Sequence, residues 1–248
     1  MRKKQLAKDI IHYIFDPKSK KHFSTSVIAI FNGNKAMLID AAYEDQMSEL
    51  LEEFSRNNIE VERVIISHFH ADHMEGLKAL HKVPVYGSSR AQETLNRWTA
   101  KEEHVHFTPS IIVNEPLSFT YGDYNLTLIP FPGHSVCTML IKIDDHFLHI
   151  VDELMFSPDG EPLLPSSDGH DMKRHLDSLD RLRSYKGFTL IPGHGPIFNS
   201  EALSFEIDNR YNYLKALHNS DEFISYEEAT KDCTCTFMHS EWHKYNFK

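Results

Sequence analysis

The stretch Val64-Ile65-Ile66-Ser67-His68-Phe69-His70-Ala71-Asp72-His73 constrains this chain more than any other. Three histidines and an aspartate fall within six residues, directly behind a β-branched run that favours a strand. His68 and His70 lie two apart, so in an extended segment both side chains leave the same face. Asp72 and His73 follow where the chain turns, and Met74 to Leu80 reads as the start of a helix. Imidazole nitrogens with a carboxylate oxygen suit Zn²⁺ and its borderline-soft neighbours. The segment therefore predicts a metal site at the C-terminal end of a strand, where layered α/β proteins commonly keep their active sites.

A site of that kind needs a full core behind it. The chain has 248 residues, 41% of them hydrophobic and 25% charged, which is enough for one large globular domain. No apolar run approaches the roughly 20 residues needed to span a bilayer. Met1-Arg2-Lys3-Lys4 looks like the charged start of a signal peptide, but Lys8, Asp9, His12 and Asp16 interrupt the apolar segment that should follow. Three cysteines, Cys137, Cys233 and Cys235, make no even disulfide framework. Together these features predict a cytoplasmic protein without a membrane partner. The formal charge of −10 argues against nucleic acid as the main partner, because phosphate backbones are held by clustered Lys and Arg. A small-molecule substrate is expected, and self-association is left open.

Taken in order, 9–15 and 26–31 read as strands joined by a polar turn with Pro17 and several lysines. Asn32-Gly33-Asn34 then makes a hairpin to Lys35–Asp40. Residues 44–56 carry Met47, Leu50, Leu51 and Phe54 at helical spacing. Val61–Ile66 is a strand, Val83–Tyr86 a short one, and 89–99 a helix. Strands follow at 117–121, 124–131, 137–143 and 146–151, turning at Gly122-Asp123 and Asp144-Asp145. The Pro/Gly/Ser-rich stretch 157–170 is a loop, as is 102–116, and substrate choice is expected to reside in both and in the tail. Asp171–Ser184 is a helix with Met172, Leu176, Leu179 and Leu182 as its buried stripe. Phe188–Ile191 is a strand and 200–218 an amphipathic helix. Two passes of strands and alternating elements predict two sheets with helices outside them, in a single domain over 1–248 whose tail, about 220–248, packs on it.

Four ligands in six residues cannot all reach one tetrahedral ion, so further ligands are expected downstream. Two histidines share one setting, a β-rich run followed by a Pro-Gly turn: His134 after Leu126–Gly133 and His194 after Thr189–Gly193. Either one alone reads as a core or surface histidine; two such turns behind the hexad favour ligands. Asp152 ends the apolar run His149-Ile150-Val151, where an acid is costly unless paired or metal-bound. A strand-end acid or a helix cap is the other reading of that position.

With these residues in hand, the sequence resembles the metallo-β-lactamase-fold hydrolase superfamily. Asp40, the hexad, His134, Asp152 and His194 run in the family's order. The resemblance implies a four-layer αββα sandwich of two mixed β-sheets flanked by helices, with a dinuclear site at one edge. It implies His68, His70 and His134 on a first metal and Asp72, His73 and His194 on a second, with Asp152 bridging both. Asp40 matches an aspartate that supports the hexad loop and binds no metal. Zn²⁺ is the default for both ions, with iron or manganese as alternatives. A hydroxide held between two metals would attack a small ester, lactone, thioester or amide, with Asp72 as the catalytic residue that orients it or takes its proton.

The branch within the family is less defined. Cys137 stands where many relatives have the glycine of a Gly-His-Ser/Thr-Pro-Gly pattern, and reads as a small buried strand residue, with a functional thiol beside a metal ligand as the alternative. Acyl-homoserine lactonases carry a tyrosine shortly after the bridging aspartate; here the stretch is Glu153-Leu154-Met155-Phe156. The thioester-binding C-terminal region of glyoxalase II has no clear match in 200–248. The tail's Cys233, Cys235, His239 and His243 are the residues of a conceivable second metal site, although Cys-x-Cys is not the usual zinc spacing. Trp242, Tyr245 and Phe247 are expected to dock the C-terminus. Phe69 and Trp98 are read as core or rim, with substrate contact as the alternative. Two rival chemistries use the same fold: a two-metal phosphodiesterase or nuclease, and a mononuclear iron oxygenase acting on a persulfide.

Overall fold

The computed structural model describes residues 1–17 and 23–246. The lysine-rich part of the first polar turn and Phe247 lie outside the described residues. The chain divides into two compact units, Met1–Pro130 with Cys137–Asp144, and Phe131–Val136 with Asp145–Lys248.

The first unit contains a seven-stranded sheet in the order β1(Arg2–Ala7), β2(Ile10–Phe15), β3(Thr25–Asn32), β4(Lys35–Ile39), β5(Glu60–Ile65), β6(Val85–Ser88), β7(Ile111–Val113). The first four strands are antiparallel to their neighbours and the last four parallel, so the sheet is mixed. The Gly33-Asn34 hairpin forms as its residues dictate, with Asn32 opposite Lys35. Strand β1 escapes pattern reading because Arg2, Lys3, Lys4 and Gln5 carry no apolar alternation. It is an exposed edge strand, and its cations guard that edge against pairing with other chains.

The parallel pair β4–β5 sets up the hexad. Ile39 lies opposite Ile65, and the amide of Asp40 donates to the carbonyl of Ile65 at 2.8 Å. Asp40 and Ser67 therefore emerge side by side from two buried strands. Helix α1(Glu44–Arg56) follows β4 and buries Met47, Leu50 and Phe54. Phe54 packs edge-on against Tyr13 and Phe31, with ring centroids 5.9 and 5.8 Å away. After the hexad the chain makes only a short α2(Ala71–Met74) and a 3₁₀ turn over Glu75–Ala79, not the regular helix expected from Met74 to Leu80. Close packing is the reason. A Cβ on Gly76 would sit 2.0 Å from the Ala41 carbonyl oxygen and 2.7 Å from the Met47 Cβ. Its amide donates to Ala42 at 2.9 Å instead of staying within a helix.

The stretch 102–116, expected as a loop, contains a helical turn α4(His104–Phe107) and strand β7, three residues too short to show a period. Before it stands α3(Ala91–Trp98). A three-stranded meander, β8(Leu117–Tyr121), β9(Tyr124–Pro130) and β10(Met139–Ile143), completes this unit, with its first turn at Gly122-Asp123.

In the second unit β11(Phe147–Val151) runs parallel to β12(Thr189–Pro192), which pairs antiparallel with β13(Phe198–Asn199). Helix α5(Met172–Leu182) lies in the crossover and buries the expected stripe together with His175 and Ser178. Helix α6(Leu203–His218) and a short α7(Tyr226–Ala229) follow. The tail is anchored by His243, between the Tyr213 hydroxyl at 2.9 Å and the Ile224 carbonyl at 2.8 Å, and by Asn246, which donates to Pro165 at 3.0 Å. Tyr245, expected to dock, is 65% exposed. It lies on the outer side of the terminal 3₁₀ turn whose inner side carries His243. Among the described residues no helix is long and apolar enough to cross a membrane.

Because Gly76 admits no side chain, Gly76→Ala should cost about 1–3 kcal/mol by overpacking, seen as a lowered thermal midpoint. An unchanged midpoint would show that α1 yields without cost.

Candidate metal centre

In the first unit one buried carboxylate organises the hexad. Asp40 is 1% exposed and has φ 63°, in the left-handed region that aspartate tolerates better than most residues. Its Oδ1 accepts from the Ser67 amide at 2.7 Å, and its Oδ2 accepts from the Ser67 hydroxyl at 2.8 Å. Oδ2 also lies 2.8 Å from Nδ1 of His73. An ionised carboxylate only accepts, so the proton of His73 sits on Nδ1 and Nε2 is left with a lone pair for a ligand. Asp40 is thus the loop support that the family resemblance implied.

The other hexad side chains gather beside it. Nε2 of His68 lies 2.9 Å from Nδ1 of His70, and the His68 ring is 4.4 Å from that of His70 and 4.2 Å from that of His73. Asp72 Oδ2 is 3.6 Å from His73 Nε2. Nitrogens and a carboxylate oxygen converging this closely are candidate metal ligands. Cys137 and Phe69 are both fully buried, and the Phe69 amide donates to the Cys137 sulfur at 3.3 Å. The thiol thus backs the hexad loop from within the core. Tyr43 borders the same loop; burial, then the charges of Asp72 and Glu75, push its phenol up to about 12.

The second unit brings His134, Asp152 and His194 together. Strands β11 and β12 are parallel and in register at Leu148–Leu190, so Asp152 and His194 leave the same end of the pair. His194 Nε2 lies 3.2 Å and His134 Nε2 3.9 Å from Asp152 Oδ2. The Nδ1 of His134 lies 2.9 Å from the carbonyl oxygen of Ser166, which can only accept, so here too Nε2 is left for a ligand. Val151, just before Asp152, holds φ 56°. A β-branched residue there is strained, a cost of order 1–3 kcal/mol met most often at functional sites. The chemistry of both donor sets fits divalent metal ions.

Sequence reasoning missed the layer beneath His134. Glu153 is 1% exposed; its Oε1 accepts from the His134 amide at 2.8 Å and its Oε2 from the Ser178 hydroxyl at 2.5 Å. Burial pushes this carboxyl up to about 7, opposed by those two hydrogen bonds and by Arg174. A Cβ on Gly133 would meet Glu153 Oε1 at 2.2 Å, so the glycine of the Pro-Gly-His turn is what lets the carboxylate approach. Arg174 closes the turn from α5, donating to the Gly133 carbonyl at 2.9 Å and to the Asp168 carbonyl at 2.6 Å. Fully buried His175 lies with Nε2 3.8 Å from Glu153 Oε2, and burial, then His134 and Arg174, holds its pKa well below the ordinary value. The available signal was polar residues, His175 and Ser178, on the apolar stripe of α5.

The tail residues do not form a second site. Cys233 donates to the Asn209 carbonyl at 3.3 Å, His239 pairs with Glu241 at 2.9 Å and stacks on Trp242, and His243 is held by Tyr213 and Ile224. Burial, then the neighbouring Cys235, pushes the Cys233 thiol up to about 11.

These geometries can be set beside known proteins. The family model described as the metallo-beta-lactamase superfamily matches residues 21–194. The chain belongs to the metallo-β-lactamase superfamily. It is 24% identical over 222 residues to the beta-lactamase-like protein 2 homolog of Caenorhabditis elegans, covering 81% of this chain and 68% of that protein. It is 27% identical over 171 residues to the hydroxyacylglutathione hydrolase of Haemophilus ducreyi, covering 67% of this chain and 63% of the relative. Among solved structures, a metallo-β-lactamase from Pontibacter korlensis matches 88% of this chain and 99% of its own at TM-score 0.68 and 19% identity. The DIM-1 metallo-β-lactamase matches 82% and 93% at TM-score 0.63 and 16% identity. The fold is therefore the metallo-β-lactamase fold, two mixed β-sheets flanked by helices. Its superfamily is hydrolytic and typically metal-binding, and this member has candidate His and Asp ligands in both units.

Removing the buried carboxylate should be expensive. Glu153→Ala leaves the His134 amide without its acceptor and the Ser178 hydroxyl with only the His175 carbonyl, 2.7 Å away, at about 1–3 kcal/mol. Thermal denaturation beside Glu153→Gln, which keeps shape and one acceptor, should show the alanine variant much the weaker. Equal midpoints for wild type and Glu153→Ala would refute the role given to this carboxylate.

Proposed function

We propose that the two units act as one cytoplasmic hydrolase domain with a dinuclear centre, cleaving a small ester, lactone, thioester or amide. The ligands would be His68, His70 and His134 for one ion, Asp72, His73 and His194 for the other, and Asp152 for both. The observation that carries this reading is the paired tautomer control. His73 and His134 each have Nδ1 committed to an oxygen acceptor, Asp40 and Ser166 respectively, which leaves two Nε2 lone pairs. Metal-ligating histidines almost always donate their other ring N–H to such an acceptor. Zinc is the expected ion, with iron or manganese able to use the same donors.

Bound divalent ions would supply a water deprotonated near neutral pH and a Lewis acid for the substrate carbonyl. The chain's own residues do the rest. Asp40 and the Glu153–Arg174 clamp hold the histidines in place, so little reorganisation accompanies the reaction. The carboxylate of Asp72 orients the attacking water and receives its proton, a role typically worth 10²–10⁴-fold in rate. Thioesters are the first class to test, since a hydroxyacylglutathione hydrolase is among the relatives. The partner is a small molecule, with neither nucleic acid nor membrane required.

Protein purified without added metal should contain about two zinc ions per chain by elemental analysis, falling toward one in Asp152→Ala. Asp72→Asn should lower kcat on the best thioester or ester by roughly 10²–10⁴-fold. A single iron unaffected by Asp152→Ala would overturn the dinuclear hydrolase and favour the oxygenase alternative.

A further inference from the structure

Helix α3 buries Ala91, Thr94 and Leu95 on one face. Trp98 follows Ala91 by seven residues and Leu95 by three, which places it on that same face. Helical periodicity therefore predicts a buried indole, yet Trp98 is 61% exposed. The helix overruns the core by one turn, and the indole projects beyond it toward the hexad. Its ring centre lies 6.1 Å from that of His70, at 85°. His70 is the hexad histidine that is only partly buried, whereas His68, Asp72 and His73 are buried. The indole thus stands at the open side of the donor cluster.

The turn that carries it is held. Thr99 donates to the Leu95 carbonyl at 3.0 Å, and His104 Nε2 lies 3.2 Å from the carbonyl oxygens of both Leu95 and Thr99. One N–H shared between these acceptors caps the end of α3 and fixes the backbone of Trp98. A large apolar ring left open at a fixed position beside a reactive cluster has the form of a recognition wall.

We infer that Trp98 is the specificity-determining wall for the acyl side of the substrate, and that the acyl group it selects is flat and aromatic. The inference rests on the hydrolase reading above and adds the class of substrate. An indole face and an aromatic acyl group stack or meet edge to face, whereas a short aliphatic acyl group covers little of the ring.

Steady-state hydrolysis of phenylacetyl and acetyl thioesters, with metal content measured on the same samples, tests the inference. Trp98→Ala should raise KM for the phenylacetyl substrate roughly 3- to 10-fold and leave acetyl within about twofold, with kcat, metal content and melting midpoint unchanged. Equal changes for both substrates, or none, in a metal-loaded active enzyme would overturn it while leaving the hydrolase reading intact. Binding is read separately from turnover. The chain has two tryptophans, so Trp242→Phe leaves Trp98 as the sole indole. Phenylacetate should quench its emission at concentrations where acetate does not. Quenching without turnover would uphold the wall and sink the hydrolase reading; no difference between the two acids would sink the wall.

Discussion

The Asp40 carboxylate is the interaction on which the hexad depends. A buried carboxylate is costly unless its oxygens are satisfied, and Asp40 is satisfied by three donors: the Ser67 amide, the Ser67 hydroxyl and His73 Nδ1. Those donors are the start and the end of the hexad. One charge thereby closes the loop at both ends, fixes the tautomer of a histidine and orients its ring. The left-handed backbone of Asp40 and its amide bond to Ile65 keep the carboxylate beneath the loop.

The same plan appears in both units. The hexad leaves the end of the parallel pair β4–β5, and Asp152 and His194 leave the ends of the parallel pair β11–β12, while His134 follows β9. Parallel neighbours in register release consecutive chain ends at one edge, so ligands distant in sequence emerge together. In each unit a buried acid lies beneath the histidines, Asp40 in one and Glu153 in the other. Glu153 depends on a close approach that only glycine permits, at Gly133, and the chain leaving the hexad passes Ala41 and Met47 by a like approach at Gly76. Stability and site geometry rest on the same contacts here.

Much of this was legible in the sequence because it is local. The Asn32-Gly33-Asn34 hairpin, the Met47–Leu50–Phe54 stripe of α1 and the stripe of α5 follow from turn chemistry and period. The hexad and the two Pro-Gly-His turns stand out because ligand residues cluster next to strands. What stayed hidden is set by distant contacts. Strand β1 has no apolar alternation and β7 has three residues, so neither shows a period. The helix expected after Met74 shortens because Gly76 must pass against Ala41 and Met47. Glu153 carries no pattern of its own, because its partners, Ser178 and the His134 amide, are distant in sequence, and Tyr245, expected as an anchor, gives that place to His243 and Asn246.

The claim that Asp40 sets His73 as a ligand is tested most directly by the ring tautomer of His73. Long-range ¹H–¹⁵N correlation on metal-free protein distinguishes a proton on Nδ1 from one on Nε2. In wild type the proton should sit on Nδ1. In Asp40→Asn, with an amide N–H turned toward the ring, it should move to Nε2, and zinc affinity should fall roughly 10- to 100-fold. A wild-type His73 carrying its proton on Nε2, or an Asp40→Asn variant with tautomer and affinity unchanged, would contradict the account.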